Sequence, residues 1–256
     1  MESKYASYPS LKDRRILITG GASGIGETLV AQFAAQRARV AFLDIQNEAA
    51  ESLIARIAAA GHPRPLYYNS DLTDVTAVQA SVAAVVATLG GLDVLVNNAG
   101  NDRRHTIEEV TPELWDHLMA VNLRHQFFAT QAALPALRQS GSGSIINMSS
   151  IAWIIPSVGL PVYVAAKAAI VGLTRTLAHD LGKDNIRVNA ILPGAILTEK
   201  QRQFVLTPEY TAEILANQAL KRQLVPEEIA RLALFLAAAD SSAITGQSHI
   251  ADAGWV

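Results

Sequence analysis

Strand-like apolar runs alternate with helix-length segments along the whole chain, and that alternation constrains the fold more than any other feature. The runs fall at 15–19, 39–44, 65–69, 92–96, 144–149, 186–191 and 247–251. The segments between them are long enough to be crossover helices, so consecutive strands run parallel, with helices covering both faces. The reading is an α/β, single-domain Rossmann-type, doubly wound parallel sheet. Its 256 residues suit one such domain with a large core. Residues 1–13 read as an N-terminal tail and 14–256 as the domain. Residues 195–218 break the alternation, mixing polar, charged and apolar positions after Pro193-Gly194. Because ligands in open parallel sheets bind beyond the carboxyl ends of the strands, this stretch is expected to be a lid.

The first strand leads into a glycine-rich turn and a helix. Ile16-Leu17-Ile18-Thr19-Gly20-Gly21-Ala22-Ser23-Gly24-Ile25-Gly26 precedes the helical periodicity of Leu29, Val30, Phe33 and Ala34. Spaced glycines let backbone approach a pyrophosphate, and a helix N-terminus offers N–H donors and a favourable dipole to the anion. The spacing is Gly-x-x-x-Gly-x-Gly rather than the common Gly-x-Gly-x-x-Gly. Asp44 closes the second apolar run eighteen residues after Gly26, where a carboxylate can bond adenosine ribose hydroxyls.

Tyr163 and Lys167 stand four apart, one helical turn, and Ser150 lies thirteen residues before the tyrosine. An ammonium beside a phenol favours the phenolate, so Lys167 is expected to lower the pKa of Tyr163 toward a value suited to general acid/base work. Asn122 sits within a long helical pattern from about Pro112 to Arg138, where asparagine is a mediocre helix former. Asn97-Asn98-Ala99-Gly100 ends a strand, and Asp71 opens Asp71-Leu72-Thr73-Asp74 as a helix cap would.

Taken in order, Thr19-Gly20-x-x-x-Gly24-x-Gly26, Asp71-Leu72, Asn97-Asn98-Ala99-Gly100, Asn122, Ser150, Tyr163-x-x-x-Lys167 and Pro193-Gly194 resemble the short-chain dehydrogenase/reductase family over nearly the whole chain. The resemblance implies a catalytic tetrad of Asn122, Ser150, Tyr163 and Lys167. Tyr163 would be the acid/base and Ser150 the holder of the substrate oxygen. Lys167 would bind the nicotinamide ribose, and Asn122 would hold a relay water. It further implies that Gly20, Ser23, Gly24, Ile25, Gly26, Asp44, Asp71, Leu72, Asn98, Gly100, Tyr163, Lys167, Pro193, Ile196 and Thr198 line the cofactor site. The expected cofactor is NAD, since Asp44 would repel a 2′-phosphate and Ile45, Gln46 and Asn47 offer no cation; NADP is the alternative.

At a finer level, residues 97–105, 120–128 and Asp252-Ala253-Gly254-Trp255 look like bacterial aldose 1-dehydrogenases of that family, with Gly100 and Arg103 departing from their pattern. The implied reaction is oxidation of a pentose or hexose at its anomeric carbon to the aldonolactone. Asn101, Ser150, Trp153, Tyr163 and Gln201 are candidates to bind the sugar. A 3-oxoacyl-carrier-protein reductase is the alternative enzyme, and a non-catalytic nucleotide-binding regulator the alternative of another class. The charged run Asp102-Arg103-Arg104-His105 follows the strand carrying Asn98 and can face substrate.

Composition narrows the rest. A net charge of −2 gives no electrostatic case for nucleic acid. Apolar stretches are too interrupted for a membrane span. Zero cysteines exclude disulfides, thiolate catalysis and cysteine-ligated zinc, which fits a cytoplasmic enzyme. The six histidines form no His-x-x-x-His pair, so no catalytic metal is expected. A homotetramer is expected from the family resemblance.

Overall fold

The computed structural model describes residues 5–204 and 207–256. Seven parallel strands form one sheet: β1 (Arg15–Thr19), β2 (Arg39–Asp44), β3 (Leu66–Asn69), β4 (Val94–Asn97), β5 (Ser144–Met148), β6 (Arg187–Pro193) and β7 (Ser248–Ala251), in the spatial order β3-β2-β1-β4-β5-β6-β7. The strand order reverses between β1 and β4, which pair Ile16 with Val94 and Ile18 with Val96. That reversal opens a crevice at the carboxyl ends of these two strands.

The apolar runs are nearly continuous because the central strands are covered on both faces. Alternate side chains divide between two cores. Ile16, Ile18, Phe42, Val94, Val96 and Ile146 pack with Leu29, Val30 and Phe33 of α1 (Gly24–Ala35), with Leu53 and Ile57 of α2 (Asn47–Ala59), and with helix residues 229–237. On the other face Leu17, Leu43, Leu95, Ile145 and Val188 pack with Val78, Val82 and Val85 of α3 (Val75–Leu89) and with Ala129 and Ala133. The strands begin or end within about two residues of the sequence reading. Leu11, inside the expected tail 1–13, is fully buried in the first core, so packing is continuous across residue 14; Met1–Lys4 of that tail lie outside the described residues.

Two local departures shape the crevice. The helical pattern at 112–138 is not one α-helix. It comprises α4 (Pro112–Met119), a π-helical turn at Ala120–Arg124 and α5 (His125–Gln139). The expected lid, 195–218, contains α7 (Glu199–Phe204) and α8 (Pro208–Asn217), which follow α6 (Pro161–Gly182) and β6; residues 205 and 206 lie outside the described residues. The last α-helix is α9 (Pro226–Ala237), followed by a 3-10 turn at Ala239–Ser241. Among the described residues, no helix is long and apolar enough to cross a membrane.

Candidate active site

The loop between β1 and α1 is compact enough to require glycine. Gly20 adopts a φ of +66°, and a Cβ there would come within 2.8 Å of the Ala99 Cα. At Gly26 a Cβ would overlap the Gly20 carbonyl. The loop is braced from behind. Asn98 donates its amide to the carbonyls of Thr19 (3.1 Å) and Gly20 (2.9 Å), while Thr19 Oγ1 accepts from the Asn98 and Ala99 N–H groups. Ser23 precedes α1 without a side-chain cap; its hydroxyl instead accepts from Gln46 Nε2 at 3.1 Å. Ser23 therefore leaves the first-turn N–H groups of α1 uncapped, as an anion site requires.

Asp44 ends β2 almost buried. Its Oδ2 accepts from Ala22 N–H at 2.9 Å, and its Oδ1 accepts from the N–H groups of Ile45 (2.8 Å) and Gln46 (3.1 Å). The carboxylate thus ties the glycine loop to β2 and keeps lone-pair capacity on Oδ2 for a ligand. Asp71 caps its own turn: bonds from Thr73 N–H and then from the Thr73 hydroxyl hold its carboxyl below the ordinary range. Leu72 is buried in the core beside Val78. Ile196 pairs with Leu224 in an isolated bridge, and Pro193 is buried at the end of β6. Thr198 closes over the loop, its methyl 3.5 Å from where a Cβ of Gly24 would stand.

The four tetrad residues converge from three parts of the fold. Ser150 follows β5 and accepts from Ala152 N–H at 3.0 Å. Tyr163 and Lys167 lie on the opening turns of α6, with the Lys167 ammonium 5.4 Å from the centroid of the Tyr163 ring. Lys167 Nζ donates to the Met148 carbonyl at 2.8 Å. Asn122 sits on the π-helical turn, a backbone irregularity common at functional sites. Its side chain clasps one peptide group: Oδ1 accepts from Asn101 N–H (2.8 Å), and Nδ2 donates to the Asn101 carbonyl (3.0 Å) and to Leu118 O (2.9 Å). A Cβ at Gly100 would lie 3.2 Å from both Asn122 Oδ1 and Lys167 Nζ, so these two groups flank Gly100.

The electrostatics correct one expectation. Lys167 does not pull the Tyr163 phenol down in this structure. Burial pushes the phenol above its ordinary value, the Asp102 charge adds to this, and hydrogen bonding by Ser150 opposes it. Lys167 is itself lowered to about 8 by burial, partly offset by Asp102. Spacing brings the pair together, but desolvation is the largest influence on each. Fully buried His125, on the first turn of α5, is lowered to about 3 by burial and then by the Lys167 charge, and is therefore neutral.

Among the sugar candidates Trp153 is exposed, and Asn101 and Gln201 are half-buried. Trp153 is 37% exposed on the short turn after Ser150. The Asn101 Oδ1 is taken by Arg103 N–H at 3.0 Å. Gln201 Nε2 donates to Asp102 Oδ2 at 3.1 Å, and Lys200 Nζ lies 2.6 Å from Asp102 Oδ1. Asp102 thus joins the candidate ligands, and the sequence signals it through the charged run 102–105. Among the described residues, no group of three or more His, Cys, Asp or Glu side chains could hold a metal ion.

Comparison with known proteins places the chain in a family. Residues 20–256 match the enoyl-(acyl carrier protein) reductase family. The chain is 49% identical over 249 residues to a protein of Rhizobium meliloti described as a probable galactose dehydrogenase, covering 97% of each. It is 48% identical over 250 residues to D-xylose 1-dehydrogenase of Caulobacter vibrioides, covering 98% of each. A 7α-hydroxysteroid dehydrogenase solved with NADH and 7-oxo glycochenodeoxycholic acid superposes with a TM-score of 0.90 at 31% identity, covering 96% of each chain. With its strand order, glycine loop and convergent Asn122, Ser150, Tyr163 and Lys167, the chain belongs to the short-chain dehydrogenase/reductase family.

Proposed function

We propose that the protein is an NAD-dependent aldose 1-dehydrogenase, oxidising a pentose or hexose at its anomeric carbon to the aldonolactone. The observation that carries this reading is the near-half identity, over almost the full length, to two sugar dehydrogenases. The crevice fits the cofactor: glycine backbone no side chain could occupy, an uncapped helix N-terminus for the pyrophosphate, and Asp44 for the ribose hydroxyls. Gly20, Ser23, Gly24, Ile25 and Gly26 would hold the phosphates and Asp71 and Leu72 the adenine. Asn98, Gly100, Pro193, Ile196 and Thr198 would line the nicotinamide half.

Bound NAD supplies the hydride acceptor. The chain's own groups handle position and protons. Ser150 holds the anomeric oxygen by hydrogen bond, and Tyr163 removes its proton. Lys167 keeps positive charge beside the developing phenolate, and Asn122 fixes the Asn101 peptide and the relay that returns the proton to solvent. Trp153 offers an apolar face to the ring, with Asn101 and Gln201 at its rim. The ring oxygen stabilises positive character at the carbon losing hydride, so the chemistry needs no Lewis acid.

A 3-oxoacyl-carrier-protein reductase is the second enzyme reading, supported by the family match to acyl-carrier reductases. The intact tetrad disfavours a non-catalytic regulator. We further propose a homotetramer, supported by exposed Trp115 and Phe127 on α4 and α5 and by exposed Ile250 on the edge strand β7. A cytoplasmic setting completes the reading, resting on a chain without cysteine.

The test is product identification after incubation with NAD and pentoses, hexoses and their alditols, and with NADH or NADPH and acetoacetyl thioester for the reverse direction. Lactone from an aldose is expected. Faster turnover of alditols or thioesters than of every aldose overturns the sugar reading.

A further inference from the structure

The loop after β4 is held at both ends and carries a carboxylate between them. At one end, the Asn101 peptide is clasped by Asn122. At the other, His105 N–H donates to the Gly159 carbonyl at 2.9 Å and Arg104 Nη1 donates to the Val158 carbonyl at 3.0 Å. The Arg104 guanidinium also stands 5.9 Å from the Tyr210 ring of α8. Asp102, between these anchors, is the point where α7 touches the loop: Lys200 engages one carboxylate oxygen and Gln201 the other.

We propose that Asp102 is a specificity-determining residue of the reaction, its carboxylate held by Lys200 and Gln201 of α7 so that its remaining lone pairs accept the hydroxyl groups of a polyhydroxylated substrate. This rests on the aldose reading above. A carboxylate accepts about four hydrogen bonds, and two donors leave about half that capacity. The side chain is 31% exposed, so the free capacity is open to solvent, and its charge acts on both Tyr163 and Lys167. Vicinal hydroxyls match a carboxylate as two donors, whereas a simple alcohol brings one. Lys200 has a second task. A carboxylate this close acts on the catalytic pair, raising both the Tyr163 phenol and the Lys167 ammonium. Pairing with Lys200 limits that penalty on the phenolate.

The charged and titratable groups around Tyr163 are Lys167 on its own helix, Asp102 on the loop after β4, Lys200 on α7 through Asp102, and His125 behind Lys167 on α5. Changes at Asp102 and Lys200 should therefore move the pH profile in opposite directions. Asp102→Asn removes the negative charge, lowering the phenol pKa and moving the acid limb of oxidation to lower pH. Lys200→Met leaves the charge without its cation and moves that limb to higher pH. A merely structural role for the loop predicts no such opposition.

The experiment measures kcat and KM of wild type, Asp102→Asn and Lys200→Met from about pH 6 to 10. Substrates are the best aldose of the panel and a secondary alcohol with a single hydroxyl; NADH binding is followed by fluorescence. For Asp102→Asn the aldose KM should rise about tenfold or more, the loss expected for one or two charge-assisted hydrogen bonds. NADH binding should be unchanged, the simple alcohol should be affected far less, and the two variants should shift the acid limb oppositely. Wild-type turnover of the aldose with an unaltered aldose KM in Asp102→Asn overturns the Asp102 assignment and leaves the function standing. So do limbs that move the same way. A wild type that turns over only thioesters or simple alcohols overturns both.

Discussion

The Lys167 ammonium stands 5.4 Å from the centre of the Tyr163 ring and gives a 2.8 Å hydrogen bond to the Met148 carbonyl. It is almost wholly buried, and burial takes its pKa from an ordinary 10.5 to about 8. The charge is therefore held at a cost to folding, because the Asp102 carboxylate offsets only part of its desolvation.

Lys167→Met should abolish turnover without loss of stability at neutral pH. A fall from 10.5 to about 8 corresponds to a cost on the order of 3 kcal/mol, of which the orphaned Met148 carbonyl would give back about 1 to 2. The folded state binds fewer protons than the unfolded chain between these values, so wild-type stability relative to the variant rises with pH across that window. The advantage of the variant is largest below about pH 8, disappears within the window once the charge penalty falls below the cost of the orphaned carbonyl, and is reversed by about 1 to 2 kcal/mol near pH 10.5. Denaturant unfolding at several pH values checks this; a variant clearly less stable than wild type at pH 7 rules it out.

Tyr163→Phe removes one oxygen and should lower kcat by roughly 10²- to 10⁴-fold with the fold and NADH binding intact. Because burial raises the phenol in the protein alone, oxidation by wild type should climb toward alkaline pH. Near-normal turnover by the variant, or a rate flat across the alkaline range in wild type, removes Tyr163 from its assigned role.

The sheet was legible because the central strands are buried on both faces, so Ile16-Leu17-Ile18 and Leu92 to Val96 read as plain apolar runs. The tetrad was legible as spacing and motif. Its electrostatics were not, because periodicity places Lys167 near Tyr163 but carries no information on desolvation. The π-turn at Asn122 was hidden as well. Ala120-Val121-Asn122-Leu123-Arg124 has ordinary helical composition, and one extra residue per turn leaves no pattern in so short a stretch. The engagement of Asp102 by Lys200 joins residues 98 positions apart through a segment without strand or helix periodicity of its own.

Asp44→Ala should narrow the preference for NAD over NADP, since it removes the like charge facing a 2′-phosphate. The structure adds a second consequence. Asp44 also accepts the N–H groups of Ala22, Ile45 and Gln46, so the variant should lose about 1 to 3 kcal/mol of stability through unpaired backbone donors. The ratio of kcat/KM for the two cofactors, measured beside unfolding curves, separates the two effects. An unchanged ratio with lowered stability would make Asp44 a loop brace alone.

At the opposite end of the sheet, Asp93 governs acid stability. Burial alone would raise its carboxyl, but hydrogen bonds from the Arg15 side chain (2.7 and 2.8 Å) and N–H (2.8 Å), with the Arg14 and Arg15 charges, hold it below its ordinary value. A carboxyl whose pKa is depressed by folding contributes stability fully present above its unfolded value, near 3.8, and lost as pH falls through the lower folded one. Charge-assisted hydrogen bonds of this kind are worth about 1.5 to 3 kcal/mol each, discounted here because Arg15 is a quarter exposed. Arg15→Met should therefore cost about 2 to 3 kcal/mol at pH 7, leaving a nearly buried carboxylate without its main partner. The cost should shrink toward zero as pH falls below about 4, where the Asp93 carboxyl of the variant is already protonated. Denaturant midpoints of wild type and variant between pH 3 and 8 measure the difference, and a cost independent of pH would mean that Arg15 acts through packing of its aliphatic stem instead.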